Sequence, residues 1–184
     1  DSDDIWFPKK LEKSFYLLNQ GIDIVCHDEI WLWSDGTKKL VNYGPEKRSS
    51  YNNLLFKGNA ISTSAISCRK DLLFELNGFD ENPLMAGNED YDLWMRISRT
   101  EKYKFKFIKE PLGYYRIHKN NNSKKVLKQL RSEIYVINQH FNNSKIRLNA
   151  LNYLKLTIRI SRAIVGSIFK INEFIYKTII KIRK

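Results

Sequence analysis

The sequence predicts a mixed α/β domain followed by a basic, purely helical tail. Three observations lead there. Short β-rich runs alternate with helical periodicity up to about residue 118, and from Lys124 onward only helical periodicity remains. The length of 184 residues suits one globular domain with an appendage. Charge is also unevenly spread: of the net +12, ten cations against Glu173 alone between Lys145 and Lys184 supply +9. The predicted boundary lies near Lys119 to Ser123, which divides the chain into 1–123 and 124–184.

Taken in order, Asp1-Ser2-Asp3-Asp4-Ile5-Trp6-Phe7-Pro8 is a polar cluster running into a proline suited to a first helical position. Leu11, Phe15 and Leu18 recur at helical spacing, and Gly21 stops that helix. Ile22 to Cys26 reads as a short strand. Ile30 to Trp33 and Leu40-Val41 read as a hairpin around the Asp35-Gly36 turn. Ser49 to Lys57 is polar and ambiguous. Ile61 to Ser67 alternates like a strand, and Arg69 to Leu76 is a short helix closed by Asn77-Gly78. Tyr91, Leu93, Trp94 and Ile97 mark a helix over Glu89 to Ser98. Tyr103 to Ile108 and Leu112 to Ile117 are predicted as two strands parted by Glu110-Pro111. Lys124 to His140 is helical, and Leu148 to the end is one long helix or two.

Composition narrows the function classes. Cys26 and Cys68 form neither a disulfide framework nor a CxxC metal pair, so a reducing, cytoplasmic setting is the default. No stretch of 18 uncharged apolar residues and no signal peptide is visible. The basicity belongs to the tail, and the body shows no basic stripe, so no nucleic-acid partner is expected. An opening on Asp, directly into a charged motif, predicts a chain that begins partway through a larger protein.

Three segments can carry chemistry. Asp1, Asp3 and Asp4 place three carboxylates in four residues, which repel one another unless a cation or strong donors neutralise them. Oxygen ligands suit Mg²⁺ or Mn²⁺ shared with substrate phosphates; the same cluster also suits a capped helix N-terminus. Glu89-Asp90 opens an amphipathic helix, where the helix dipole keeps a general base ionised; acidic first-turn residues are equally the mark of an ordinary helix start. His118 ends a strand, where α/β sheets commonly face a ligand, and can serve a metal or a phosphate. Cys26, Cys68, His27 and His140 have no partner at catalytic spacing.

The opening Asp1-Ser2-Asp3-Asp4-Ile5-Trp6, with Pro8, Lys10, Leu11 and Glu12 behind it, resembles the metal-binding segment of family 2 glycosyltransferases with the GT-A fold. Asn77-Gly78-Phe79-Asp80-Glu81 followed by Glu89-Asp90-Tyr91-Asp92-Leu93-Trp94-Met95-Arg96 resembles their acceptor-side signature, and Tyr115-Arg116-Ile117-His118 the end of their catalytic domain. The resemblance covers about Asp1 to Ser123. It implies part of a GT-A domain, a Rossmann-like mixed sheet flanked by helices, lacking the nucleotide-binding segment that lies upstream in that family. It further implies an inverting transfer from a nucleotide-sugar donor to a glycan or lipid-linked acceptor. Asp1 and Asp3 correspond to the DxD pair, with Asp3 the metal ligand and Asp1 nearer the ribose. Asp4 shares either job, Asp90 is the general base, Glu89 positions the acceptor, and His118 approaches the metal or diphosphate. A non-catalytic fragment or interaction module is the competing expectation.

In the tail, Lys155, Arg159, Arg162, Lys170, Glu173, Lys177, Lys181 and Lys184 fall on one side of a helix. Leu154, Ile158, Val165, Ile168, Phe169, Phe174, Ile175, Ile179 and Ile180 fill the rest. A basic face opposite a wide apolar one predicts an interfacial helix on an anionic membrane surface over 148–184, and peripheral association at the inner face of the cell membrane. Packing of that helix on the catalytic domain is the alternative.

Overall fold

The computed structural model describes residues 3–118, 126–144, 146 and 149–182, and side chains as far as Lys170. They fall into two compact units: those within Asp1–Asp80 and Glu89–Asn121, and those within Glu81–Asn88 and Asn122–Lys184. The expected segment around Lys119 to Ser123 and the position of Asp1 lie outside the described residues.

The first unit is a mixed five-stranded sheet flanked by helices, the Rossmann-like class that the sequence predicts. Its strands are β1 (Ile5–Trp6), β2 (Ile24–Trp33), β3 (Lys38–Val41), β4 (Ile66–Cys68) and β5 (Phe105–Ile117). Along the sheet the order is β1-β5-β2-β3, and β4 also pairs with β2. β2 and β5 run parallel, and every other pair is antiparallel. The helices are α1 (Lys10–Asn19), α2 (Tyr51–Lys57), α3 (Lys70–Glu75) and α4 (Glu89–Arg99).

Two expectations about strands are corrected. The runs around Cys26 and Trp31 belong to one strand, β2, because the intervening polar residues are satisfied rather than solvated. Asp28 Oδ2 accepts from Asn42 Nδ2 at 2.7 Å and Oδ1 from the Tyr43 N–H at 2.9 Å, while Glu29 Oε2 accepts from the Tyr43 hydroxyl at 2.7 Å. Likewise β5 runs straight through Glu110-Pro111. The β2–β5 register shifts between His27 and Asp28 and again between Asp28 and Ile30, with Asp28 opposite Pro111; a bulge is where a strand tolerates a residue without an N–H. The Ile61 to Ser67 alternation gives only the short β4, preceded by a 3₁₀ turn over Thr63–Ala65. The polar stretch after Ser49 is α2.

Ile24, Val25, Leu54, Leu55, Leu93, Met95 and Ile97 are fully buried, with Tyr91 and Trp94 at 1% exposure. Each such side chain contributes about 1.5–3 kcal/mol of burial. α4 supplies much of this core. It also matches its dipole, with Glu89, Asp90 and Asp92 in the first turn and Arg96 and Arg99 in the last. α3 ends as its sequence predicts, with Asn77 and Gly78 at φ 57° and 58° and the Gly78 N–H donating to the Leu73 carbonyl at 2.7 Å. α1 forms, but its stripe is reversed. Leu11 and Phe15 are exposed, and the residues turned inward are Lys10 and Ser14.

The second unit contains α5 (Val126–Asn142) and α6 (Ala150–Ile182). Val136, Ile137 and Phe141 are buried, and the Phe141 and Tyr153 rings meet edge-on at 5.0 Å. Arg159 is 7% exposed and pairs with Glu133 of α5, so it is not part of a solvated basic face. Ile158, Val165, Ile168 and Phe169 are exposed. Among the described residues no helix is long and apolar enough to cross a membrane.

Candidate active site

The first constellation sits where β1 meets the end of β5. Ile5 and Trp6 pair with Tyr114 and Gly113. Gly113 permits this approach, since a Cβ there would lie 2.9 Å from the Ile5 carbonyl oxygen. The pairing carries the residues just before β1 to the residues just after β5. Asp4 Oδ1 accepts from the Arg116 N–H at 3.0 Å, and Asp3 Oδ2 lies 2.5 Å from His118 Nε2. Two side chains 115 positions apart in sequence are therefore brought together at a strand end. Both remain more than a third exposed. The hydrogen bond to His118 holds the Asp3 carboxyl below its ordinary range, against a smaller opposing effect of burial.

This pair can supply one oxygen and one nitrogen ligand. Among the described residues no group of three His, Cys, Asp or Glu is arranged to hold a metal ion. The Asp3 carboxylate is the donor type through which Mg²⁺ or Mn²⁺ bind in phosphate-handling sites, with other positions left to substrate oxygens and water. The imidazole nitrogen of His118 is a softer donor than these ions prefer.

The second constellation is at the N-terminus of α4. Asp90 Oδ2 accepts from the Thr63 hydroxyl at 2.6 Å, and Oδ1 from the Tyr91 N–H at 2.7 Å. Burial raises the Asp90 carboxyl above its ordinary range. Thr63 and the Tyr91 N–H oppose the rise, and the neighbouring Glu89 charge adds to it. Tyr91 anchors the start of the helix by donating its hydroxyl to the Leu54 carbonyl at 2.5 Å. Glu89 is half-buried beside Asp90. Asp92 is committed elsewhere: its Oδ2 accepts from Arg96 Nε at 2.7 Å, and Arg96 also donates to the carbonyls of Leu76 and Gly78. That clamp ties α4 to the end of α3.

Sequence reasoning missed a set of buried polar groups that includes Lys10 and Glu29. The Lys10 side chain donates Nζ to the Ser64 carbonyl at 2.7 Å and lies 4.2 Å over the Trp6 ring. Desolvation lowers its ammonium and raises the carboxyl of Glu29. The one available signal was the adjacent Asp28-Glu29 pair inside an apolar run, which a solvated strand would not carry twice in succession. Cys26 and His27, expected to have no role, are buried in β2; desolvation pushes the thiol up to about 12 and the imidazole down to about 4. Neither is poised for nucleophilic or acid–base work at neutral pH.

No family model matches the chain. It is similar to an uncharacterized glycosyltransferase of Methanocaldococcus jannaschii, 28% identical over 160 residues, which is 85% of this chain and 54% of that protein. It is also similar to the O-antigen biosynthesis glycosyltransferase WbnJ of Escherichia coli, 24% identical over 167 residues, 90% of this chain and 63% of the relative. The chain thus spans between half and two thirds of the length of the curated relatives it matches.

Proposed function

We propose that the chain is the acceptor-side part of an inverting, metal-dependent glycosyltransferase of family 2 with the GT-A fold. In this reading it moves a sugar from a nucleotide-sugar donor to a glycan or lipid-linked acceptor. The observation that carries this is Asp90, a carboxylate fixed at both oxygens and raised by burial towards the range in which a base works well. Asp90 takes the proton of the acceptor hydroxyl as that oxygen attacks the anomeric carbon. The bond from that carbon to the diphosphate breaks on the opposite side, and the electron pair leaves with the diphosphate, so the anomeric configuration inverts. Glu89 orients the acceptor. Asp3 and His118, with Asp4 beside them, face the donor diphosphate. A divalent cation held by Asp3, Asp1 and His118 would supply Lewis-acid stabilisation of the leaving group. In full-length protein, Asp90→Asn should lower kcat by about 10²-fold or more while donor binding survives. Near-normal turnover would sink the assignment.

The exposed apolar positions of α6 favour one addition, peripheral association with an anionic membrane face through 148–184. Because Arg159 is engaged with Glu133, the exposed Lys155, Arg162 and Lys170 carry this attraction together with the basic residues that follow. The protein should co-sediment with vesicles containing phosphatidylserine more than with pure phosphatidylcholine, and release as salt rises. Arg162→Glu with Lys170→Glu should abolish the difference; equal behaviour on both vesicles leaves a non-catalytic or packing role for the helix.

A further inference from the structure

The Asp90 carboxylate has two conformational requirements as a base. It must stay ionised in a partly desolvated position, and it must present a lone pair towards the acceptor rather than rotate freely about its last side-chain bond, a torsion that is intrinsically broad. The Tyr91 N–H meets half of the second requirement by holding Oδ1 at 2.7 Å. The other half falls to Thr63, whose hydroxyl holds Oδ2 at 2.6 Å. Each oxygen then keeps capacity to accept one more proton donor.

Thr63 is itself held. It opens the 3₁₀ turn Thr63–Ala65, and Lys10 reaches that turn from α1, donating Nζ to the Ser64 carbonyl at 2.7 Å. Lys10 is 1% exposed. A long, flexible cation is immobilised here on a backbone carbonyl, at the cost of its side-chain entropy and of partial desolvation. Glu89 adjoins Asp90 on α4 and its charge acts on it; α2, which packs against α4, carries Tyr51 and the exposed Lys57; the turn carries none, and Lys10 is directed at Ser64.

We propose that Thr63 is the positioning residue of the base, fixing the orientation of the Asp90 carboxylate and favouring its ionised form, with Lys10 holding the turn that presents it. This deepens, and rests on, the reading of Asp90 as the base. Thr63 keeps its own proton throughout: the acceptor proton goes to Asp90, the new bond forms at the anomeric carbon, and the old one breaks to the diphosphate.

The test compares Thr63→Val, Thr63→Ser and Asp90→Asn in the full-length protein. The Asp90 side-chain carboxyl carbon is titrated by NMR, and kcat is followed against pH with whichever of the UDP-, GDP- and dTDP-sugars the wild type turns over. Removing the hydroxyl should raise the Asp90 midpoint and carry the acid limb of kcat upward with it. The plateau should fall about 10-fold, the size of one lost hydrogen bond to a charged group. KM for the donor should hold, and Thr63→Ser should restore both readouts. Should Thr63→Val fail to fold, Thr63→Ala against Thr63→Ser gives the same contrast. An unchanged Asp90 midpoint, or a serine variant as impaired as the valine one, overturns the role of Thr63. Near-normal turnover in Asp90→Asn instead overturns the base assignment itself, so the two failures are told apart.

Discussion

Asp3 and Asp90 are the same side chain in opposite environments. Asp3 precedes a two-residue edge strand, is more than a third exposed, and has its carboxyl depressed by His118. Asp90 starts a helix at the core, is held by a threonine hydroxyl and a backbone N–H, and is raised by burial. On the proposed reading, the difference assigns work. A depressed, accessible carboxylate keeps its charge across the working range and suits a cation. A raised, shielded one releases a proton less readily and suits the base. Divergent environments for two carboxylates are a recurring way of separating such roles at one pH. Asp92 shows what the contrast excludes: two residues from Asp90, it is spent on Arg96 and the end of α3.

The largest expected effect attacks the Asp3 side. On the proposed reading, Asp3→Ala removes the metal-binding carboxylate that reaches His118. Turnover in the full-length protein should be abolished, and EDTA should reproduce the loss in wild type with recovery on adding Mn²⁺. Full activity in chelator would remove the metal from the scheme and leave Asp3 a purely structural partner of His118. The Asp90→Asn loss comes next and Thr63→Val after it. Their order matters more than their absolute sizes, since a positioning residue should never cost more than the group it positions.

The residues on both sides of this contrast were conspicuous in the sequence, as carboxylates crowded in four residues or paired at a helix start. Their opposite environments were not: the helix start predicts an Asp90 kept ionised, and burial raises its carboxyl instead. His118 was legible from its place at a strand end. Thr63 was not: one hydroxyl in a stretch that alternates like a strand carries no mark of its partner 27 positions later. Lys10 was hidden by its type, since a lysine beside Leu11 and Glu12 reads as solvated, and only the tertiary fold shows Leu11 turned out and Lys10 turned in. The continuity of β2 and β5 was missed for a related reason. Polar residues and a proline normally end a strand, but Asn42, Tyr43 and the register shifts at Asp28 accommodate them, and those partners are not neighbours in sequence.

The smallest effect sharpens the comparison from its exposed side. In wild type the His118 hydrogen bond favours the charged form of Asp3, so the folded carboxyl titrates below the unfolded one. The resulting stabilisation is present above the ordinary carboxylate range and is lost as pH falls through the depressed folded value. His118→Ala removes the bond, so in metal-free protein the Asp3 carboxyl should titrate higher, nearer its ordinary value, and the acid-unfolding curve should lose its dependence on this pair. Solvent screens a site this open, so the stability change itself should be slight. The functional change should be weaker binding of Mn²⁺, since the variant removes one of the groups proposed to hold it. Asp90 should titrate as before, because His118 is not among the groups acting on it. If both carboxylates moved together in His118→Ala, the two environments would be coupled, and the division of labour between them would fail.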